Sequence, residues 1–275
     1  MTIEMRTTRY VWLVCAMLSL GRIYGNAQEG ARLQPIGGEA YKAVIISYQY
    51  DKEVPLEARI VETDEHPEYL REKIVFRGAR DNRIPGYLGI PKTGSPPYPI
   101  VLQIDGLGGS KGRWWEDENW PRGGVLTKAL LSSGFAVLAL DAQYHGERIA
   151  ENNYEPAGHL LERHWYNTLR EMTVQSIVEY RRAMDYLATR SEIDTTRIGV
   201  IGLSMGGMMT FVLSAIDTRI QVSVAGVTPI EIDSLWLTIA PFHFAERINR
   251  KPFLMLMGRS DRWYSVDQAK DLEKD

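Results

Sequence analysis

The stretch Gly202-Leu203-Ser204-Met205-Gly206 carries the clearest chemical signal in this chain. A serine hydroxyl acts as a nucleophile where it is lifted clear of the backbone and a base can take its proton. A G-x-S-x-G sequence does this when a buried strand enters it and a helix leaves it. Residues 198–201 read as such a strand, and residues 207 to about 215 as the helix. The turn forces its serine into a strained backbone conformation, so the neighbours must be small, hence glycine at 202 and 206. The N–H of Met205 then lies at a helix N-terminus, aimed where negative charge forms on an attacked carbonyl oxygen. The alternative is a glycine-rich strand-to-helix turn without chemistry; the flanking elements favour Ser204 as a nucleophile.

A second glycine-rich stretch, Asp105-Gly106-Leu107-Gly108-Gly109-Ser110-Lys111, follows the apolar run 99–104. It lacks the Gly-Lys-Ser/Thr ending of a phosphate loop and the G-x-G-x-x-G spacing of a dinucleotide site. The better reading is the second half of an oxyanion hole, with the backbone N–H of Leu107 meeting that of Met205. A plain glycine turn is the alternative. Trp114, Trp115 and Trp120 come next; they either line a pocket or pack their loop onto the body.

The segment Asp141-Ala142-Gln143-Tyr144-His145-Gly146-Glu147-Arg148 leaves another buried strand, 135–140, at its carboxyl end. Ligands bind at that edge of an open α/β sheet, which would bring Tyr144 and His145 to a pocket. The favoured reading is structural, a turn fixed by hydrogen bonds among Asp141, His145 and Arg148. Residues 150–166 form an irregular excursion with His159 and His164, without metal-ligand spacing. No metal and no cofactor are expected.

The remaining elements position these residues. Residues 28–68 are a lead-in of surface segments or a short helix, with His66 beside Pro67 in a solvated turn. Residues 70–77 and 84–90 read as an antiparallel hairpin around Asp81-Asn82. Residues 123–133 form an amphipathic helix ending at Gly134. Residues 167–189 form the longest helix, with Met172, Ile177, Val178, Met184 and Leu187 buried and Arg181-Arg182 on its wet face. Strands 220–227 and 253–257 follow, separated by an excursion over 228–250. Alternating strands and helices of these lengths give a doubly wound, mostly parallel α/β sheet.

Net charge is -3 with no run of one sign, so no nucleic-acid partner is expected. Arg6 and Arg9 precede the apolar run 10–20, and Gly25-Asn26-Ala27 follows, the layout of a secretory signal peptide. The run is shorter than the roughly 20 residues that span a bilayer. The expected organisation is therefore a signal peptide over 1–27, a lead-in over 28–68 and a catalytic domain over 69–275. The product would be secreted or periplasmic, with no stable membrane partner after cleavage. The single cysteine, Cys15, falls inside the apolar run, leaving the mature chain without thiol chemistry.

With the Ser204 turn, the Asp105–Lys111 loop, the Asp141–Arg148 turn and Gly258-Arg259-Ser260-Asp261 in order, the chain resembles the α/β-hydrolase superfamily. Within it, the chain looks most like secreted esterases of the dienelactone hydrolase and acetyl xylan esterase type, over roughly residues 70–275. The resemblance implies Ser204 as nucleophile and Asp261 as the acid of a Ser-His-Asp triad, with Glu231 and Asp233 in reserve. Two departures stand out. The family usually has His-Gly where this chain has Asp105-Gly106; a carboxylate there adds negative potential near an oxyanion unless Lys111 or Arg113 neutralises it. In this fold the triad runs Ser, acid, His along the chain, and no histidine follows Asp261. His243 precedes the acid and reads as a packing or loop residue. The sheet is therefore expected to be C-terminally incomplete, with the base histidine beyond residue 275.

The function this resemblance implies is hydrolysis of a small-molecule or carbohydrate ester through an acyl-enzyme. The alternatives are a non-catalytic binding protein on a hydrolase fold and a prolyl-oligopeptidase-like peptidase. The chain has no room for the propeller domain of that last class. Neither the particular ester nor the oligomeric state is written in the sequence.

Overall fold

The computed structural model describes residues 35–118, 120–230, 234–248, 251–261 and 266–272. The expected signal peptide and the reserve acids Glu231 and Asp233 lie outside these residues.

Among the described residues, eight strands form one sheet. They are β1 Arg59–Glu65, β2 Tyr69–Arg77, β3 Arg83–Pro91, β4 Tyr98–Ile104, β5 Ala136–Leu140, β6 Ile193–Leu203, β7 Ile220–Gly226 and β8 Phe253–Leu256. Their order is β1-β2-β3-β5-β4-β6-β7-β8. The pairs β1–β2, β2–β3 and β3–β5 are antiparallel, and every pair from β5 to β8 is parallel. The central strands carry the composition of a sheet covered on both faces: all five residues of β5, Ala-Val-Leu-Ala-Leu, are buried.

The helices are α1 Gly38–Ile46, α2 Gly123–Ser132, α3 Gly158–Glu162, α4 Tyr166–Leu187, α5 Met205–Ile216 and α6 Val266–Asp271. Alternate residues of β5 join different clusters. Val137 packs with Leu131 of α2, whereas Leu138 belongs to the main core with Met184 of α4 and Met209 of α5. The sheet is thus doubly wound, as the alternation of elements predicts.

Three local differences from the sequence reading have physical causes. β1 was hidden in the lead-in because every residue of Arg-Ile-Val-Glu-Thr-Asp-Glu is exposed. Among the described residues its only strand partner is β2, and its charges suit an edge strand: Asp64 accepts from Arg71 at 2.8 Å and Glu65 from Lys92 at 3.0 Å. β6 begins five residues early, because Ile193 pairs with Tyr98 across a bulge before the buried run starts. Arg182 is not on a wet face. It is fully buried in α4, and its guanidinium donates to the carbonyls of Arg77 at 3.1 Å and Val54 at 3.0 Å. A long cation can lie inside when backbone oxygens take its protons.

A second buried cation ties the loop after β5 to α4. Arg148 and Glu179 are almost fully buried and form a two-pronged ion pair, with Arg148 Nη2 3.0 Å from Glu179 Oε1. Arg148 also donates to Glu151 at 2.8 Å and to the carbonyl of Asp141 at 3.2 Å. Glu179 accepts from Asn82 and Gln175 as well. Removing one partner strands the other charge, which typically costs about 3–5 kcal/mol. Arg148→Met should therefore lower unfolding stability by that order in a denaturant titration. A loss under about 1 kcal/mol would show that the pair is dispensable.

Candidate active site

Ser204 stands between β6 and α5 with φ +54° and ψ −117°. A non-glycine residue in that region carries roughly 1–3 kcal/mol of strain and persists only where its surroundings fix it. Here the Ser204 amide donates to the Gly226 carbonyl at 2.9 Å, and its carbonyl accepts from Met208 at 3.1 Å. The flanking glycines are sterically required. A Cβ on Gly202 would lie 2.0 Å from the Gly206 oxygen, and one on Gly206 would lie 2.2 Å from the Ile104 oxygen. Sequence and geometry agree on a tight, strained strand-to-helix turn with Ser204 at its apex.

The loop after β4 lies against this turn. A Cβ on Gly106 would sit 3.1 Å from Ser204 Cβ. The loop closes by a hydrogen bond from Gly109 N–H to the Gly106 carbonyl at 3.0 Å, with φ +82° at Gly108. Positive φ at the third residue is what a type II turn requires, and that turn leaves the second residue's N–H, here that of Leu107, outside its closing bond. Met205 opens α5, where the first N–H groups of a helix lack intrahelical acceptors.

Asp105 is folded back into its own loop. Its carboxylate accepts from the N–H groups of Gly106 at 2.7 Å and Ser110 at 3.1 Å, and Arg113 Nε lies 3.6 Å away. Burial pushes the carboxyl upward in pKa, and those two bonds and Arg113 oppose the shift. Of the two cations considered for neutralising it, Arg113 is the one beside it. Lys111 is engaged elsewhere, 2.6 Å from Asp141 and 2.5 Å from Glu147.

Ser204, Met205, Leu107 and Asp261 all line one cleft of about 200 Å³. Asp261 closes a turn at the carboxyl end of β8, its N–H bonded to the Gly258 carbonyl at 3.1 Å. The cleft thus brings together every residue singled out for the chemistry. The other candidates are elsewhere. Trp114 is buried and Trp115 packs with Tyr69 and Leu131, so these two follow the packing reading, whereas Trp120 is exposed and lines neither the core nor the cleft. Tyr144 packs on the main core. His145 is buried, with Nδ1 2.7 Å from the Gln143 carbonyl. The turn around it is fixed through Asp141 and Arg148 as expected, but Asp141 takes its protons from Lys111 and from the Glu147 N–H. His243 accepts a hydrogen bond from the Ile36 N–H at 3.3 Å, a structural contact with the chain before α1. Among the described residues no histidine lines the cleft, and no three His, Cys, Asp or Glu side chains converge as a metal site would need.

The remaining walls escaped the sequence reading. Leu161 of α3, Leu169 and Thr173 of α4, and Trp236 and Ile239 from the turns after β7 all face the cleft. Only the position of these segments beyond the carboxyl ends of β5 and β7 hinted at them.

The acetyl xylan esterase (AXE1) family matches residues 47–230. This chain belongs to the acetyl xylan esterase (AXE1) family. It is 26% identical over 243 residues to YtaP of Bacillus subtilis (strain 168), an alignment covering 80% of each chain. Its fold is similar to acetyl xylan esterase 1 from Thermoanaerobacterium sp. JW/SL YS485, with TM-score 0.65 and 14% identity over 87% of this chain and 84% of that one. It is also similar to the acetyl xylan esterase from Paenibacillus sp. R4, with TM-score 0.61 and 15% identity over 93% and 97% of the two chains. At such identities the structural likeness speaks for the fold, an α/β-hydrolase-type esterase fold, and the AXE1 assignment rests on the family match.

His145 gives this AXE1 member a pH dependence of stability. Burial pushes its pKa below the ordinary histidine value; the carboxylates of Asp141 and Asp105 pull it partly back. Its Nε2 is buried without a partner, so a second proton would have no acceptor there. The unfolded chain thus binds a proton more readily than the folded one. The contribution is complete above about pH 6.5 and is lost as pH falls toward the folded value. The stability advantage of wild type over His145→Asn should therefore be smaller at about pH 5.5 than at about pH 7.5 in denaturant titrations. An advantage that is constant or grows on acidification would contradict the neutral, buried imidazole.

Proposed function

We propose that this AXE1-family chain is a secreted serine esterase that cleaves carboxylic esters through an acyl-enzyme. The observation that carries the reading is the strained Ser204 at the floor of a cleft shared with Asp261, Leu107 and Met205. In this reading the Ser204 hydroxyl attacks the ester carbonyl and its proton passes to an imidazole base. The carbonyl oxygen becomes an oxyanion, held by the N–H groups of Leu107 and Met205. Collapse expels the alcohol, which leaves with the proton from the imidazolium. Water then attacks the acyl-serine by the same route and releases the carboxylic acid. Asp261 orients the imidazole and stabilises its charged form. All five histidines precede Asp261 in the sequence and none lines the cleft. In this fold the triad residues follow one another in the order Ser, acid, His.

In the full-length protein, Ser204→Ala should lower kcat on any hydrolysed ester by at least about 10⁴-fold while leaving the unfolding midpoint within a few degrees of wild type. Retention of a tenth of the activity by a cleanly purified variant would end the assignment of Ser204.

We also propose export with cleavage after Ala27, on the strength of the basic start, the short apolar run and Gly25-Asn26-Ala27. Mass spectrometry of protein recovered outside the cytoplasm should find Gln28, or a near neighbour, at the N-terminus. An exported chain that still begins at Met1 would contradict this.

A further inference from the structure

Two non-glycine residues that line the cleft have a positive φ, Ser204 at +54° and Val227 at +44°. The tight turn between β6 and α5 accounts for the first. Val227 stands in no such turn sequence; it follows β7 directly. Among the described residues it is the only β-branched one with a positive φ. Cβ crowds the backbone in that region, and branching at Cβ adds to the crowding. Glycine would occupy the position without that cost. A valine there calls for a cause on each side, one for what holds the backbone and one for what the side chain does.

Three contacts hold the backbone. The Gly226 carbonyl accepts the Ser204 N–H at 2.9 Å, and the N–H of Val227 donates to the Leu256 carbonyl at 2.7 Å. These two groups belong to one planar peptide unit. A single rigid plate therefore joins the backbone of Ser204 to the end of β8, the strand that leads into the Asp261 turn. Thr228 supplies the third contact. It is fully buried against α5, where a Cβ on Gly207 would lie 2.2 Å from its Oγ1. The residues on either side of it, Val227 and Pro229, line the cleft.

The side chain of Val227 is partly buried, on a cleft that Ser204 and Asp261 also line. Branching at Cβ leaves it few χ1 rotamers, so it is a stiff object. In acyl transfer the ester carbonyl, the base and the acid must align on the serine oxygen. A displacement of about 1 Å can cost about 10²-fold in rate. The stiff side chain and the rigid peptide unit restrain that alignment from the β7 side.

On the reading of Ser204 as nucleophile, we infer that Val227 is a positioning residue for the reaction. Its strained backbone fixes the peptide unit that ties Ser204 to β8, and its branched side chain is held in place beside the reacting groups.

The test uses full-length protein with p-nitrophenyl acetate, comparing wild type, Val227→Gly, Val227→Thr and Ser204→Ala. Val227→Gly keeps the N–H that Leu256 accepts but removes both the strain and the branched group. Its kcat should fall by about tenfold or more with KM within about threefold of wild type. Its thermal midpoint should stay within about 3 °C of wild type or rise, because relief of strain offsets the freer unfolded chain. Val227→Thr keeps the branching and nearly the same volume, and should restore kcat to within about threefold of wild type. A loss of kcat smaller than about threefold in Val227→Gly would overturn the inference. A midpoint lowered by more than about 3 °C, or failure of Val227→Gly to fold, would overturn it too, since the residue would then serve only the fold. Val227→Thr as slow as Val227→Gly would do the same, because shape would not be what matters. Hydrolysis that persists in Ser204→Ala would instead remove the nucleophile reading, and the role of Val227 with it.

Discussion

A side chain at φ +54°, with backbone oxygens within about 2 Å of where its neighbours' Cβ atoms would be, is tolerated only if several elements meet at one point. That point is Ser204. β6 must deliver it, α5 must start immediately after it, and the end of β4 must come close enough for Ile104 to touch Gly206. The parallel register supplies this approach, because Ile104 pairs with Gly202 and Leu203 with Gly226. Packing of α5 against β6 and β7 then holds the turn closed from behind. The strain is local, of the order of 1–3 kcal/mol, and the core clusters that fix it involve dozens of side chains. A turn that would relax in a peptide stays put here because relaxing it would shift three strands and a helix.

The loops above the sheet are held by charge as well as by apolar contact. Asp141 at the end of β5 receives the Lys111 N–H and ammonium from the loop after β4, and the Glu147 N–H from its own loop. Arg148 continues the network to Glu179 in the middle of α4. Two loops at the carboxyl edge of the sheet and helix α4 are thus cross-tied through groups that are almost all buried. Unpaired, each of these charges would be costly inside the protein; paired and hydrogen-bonded, they fix geometry. The loop after β4 inherits that fixity, since Lys111 is its last residue.

What could be read in the sequence follows from how local each cause is. The Ser204 turn was legible because its constraints lie within five consecutive residues. The central strands were legible because burial on both faces leaves nearly unbroken apolar runs, 136–140 throughout and 99–104 but for Gln103. β1 was not legible, because an exposed edge strand is specified by its partner's backbone and not by its own side chains. Arg182 reads as solvent-facing by composition, and only the path of residues 51–55 over α4 turns it inward. Asp261 was placed through family resemblance, since a Ser-Asp turn has no pattern of its own; it lines the same cleft as Ser204. The apolar walls depend on where two irregular excursions settle, which no periodicity encodes.

Asp105 shows how a departure from the family's usual residue can brace a loop instead of disturbing it. A carboxylate beside an oxyanion hole ought to raise the energy of the developing negative charge. Here both oxygens are turned back onto the N–H groups of Gly106 and Ser110, with Arg113 at 3.6 Å. Its charge is therefore partly compensated by donors that lie within its own loop. The same bonds hold the turn that presents Leu107, and Gly109 must lack a side chain because a Cβ there would lie 2.2 Å from the Asp105 carboxylate. An aspartate at this position acts as an internal brace, an Asx-type cap that orders the backbone it follows. The donor in the proposed reaction is a main-chain group, the Leu107 N–H, whose placement depends on the shape of the loop and not on the type of side chain before it. The Asp105 carboxylate helps keep that shape.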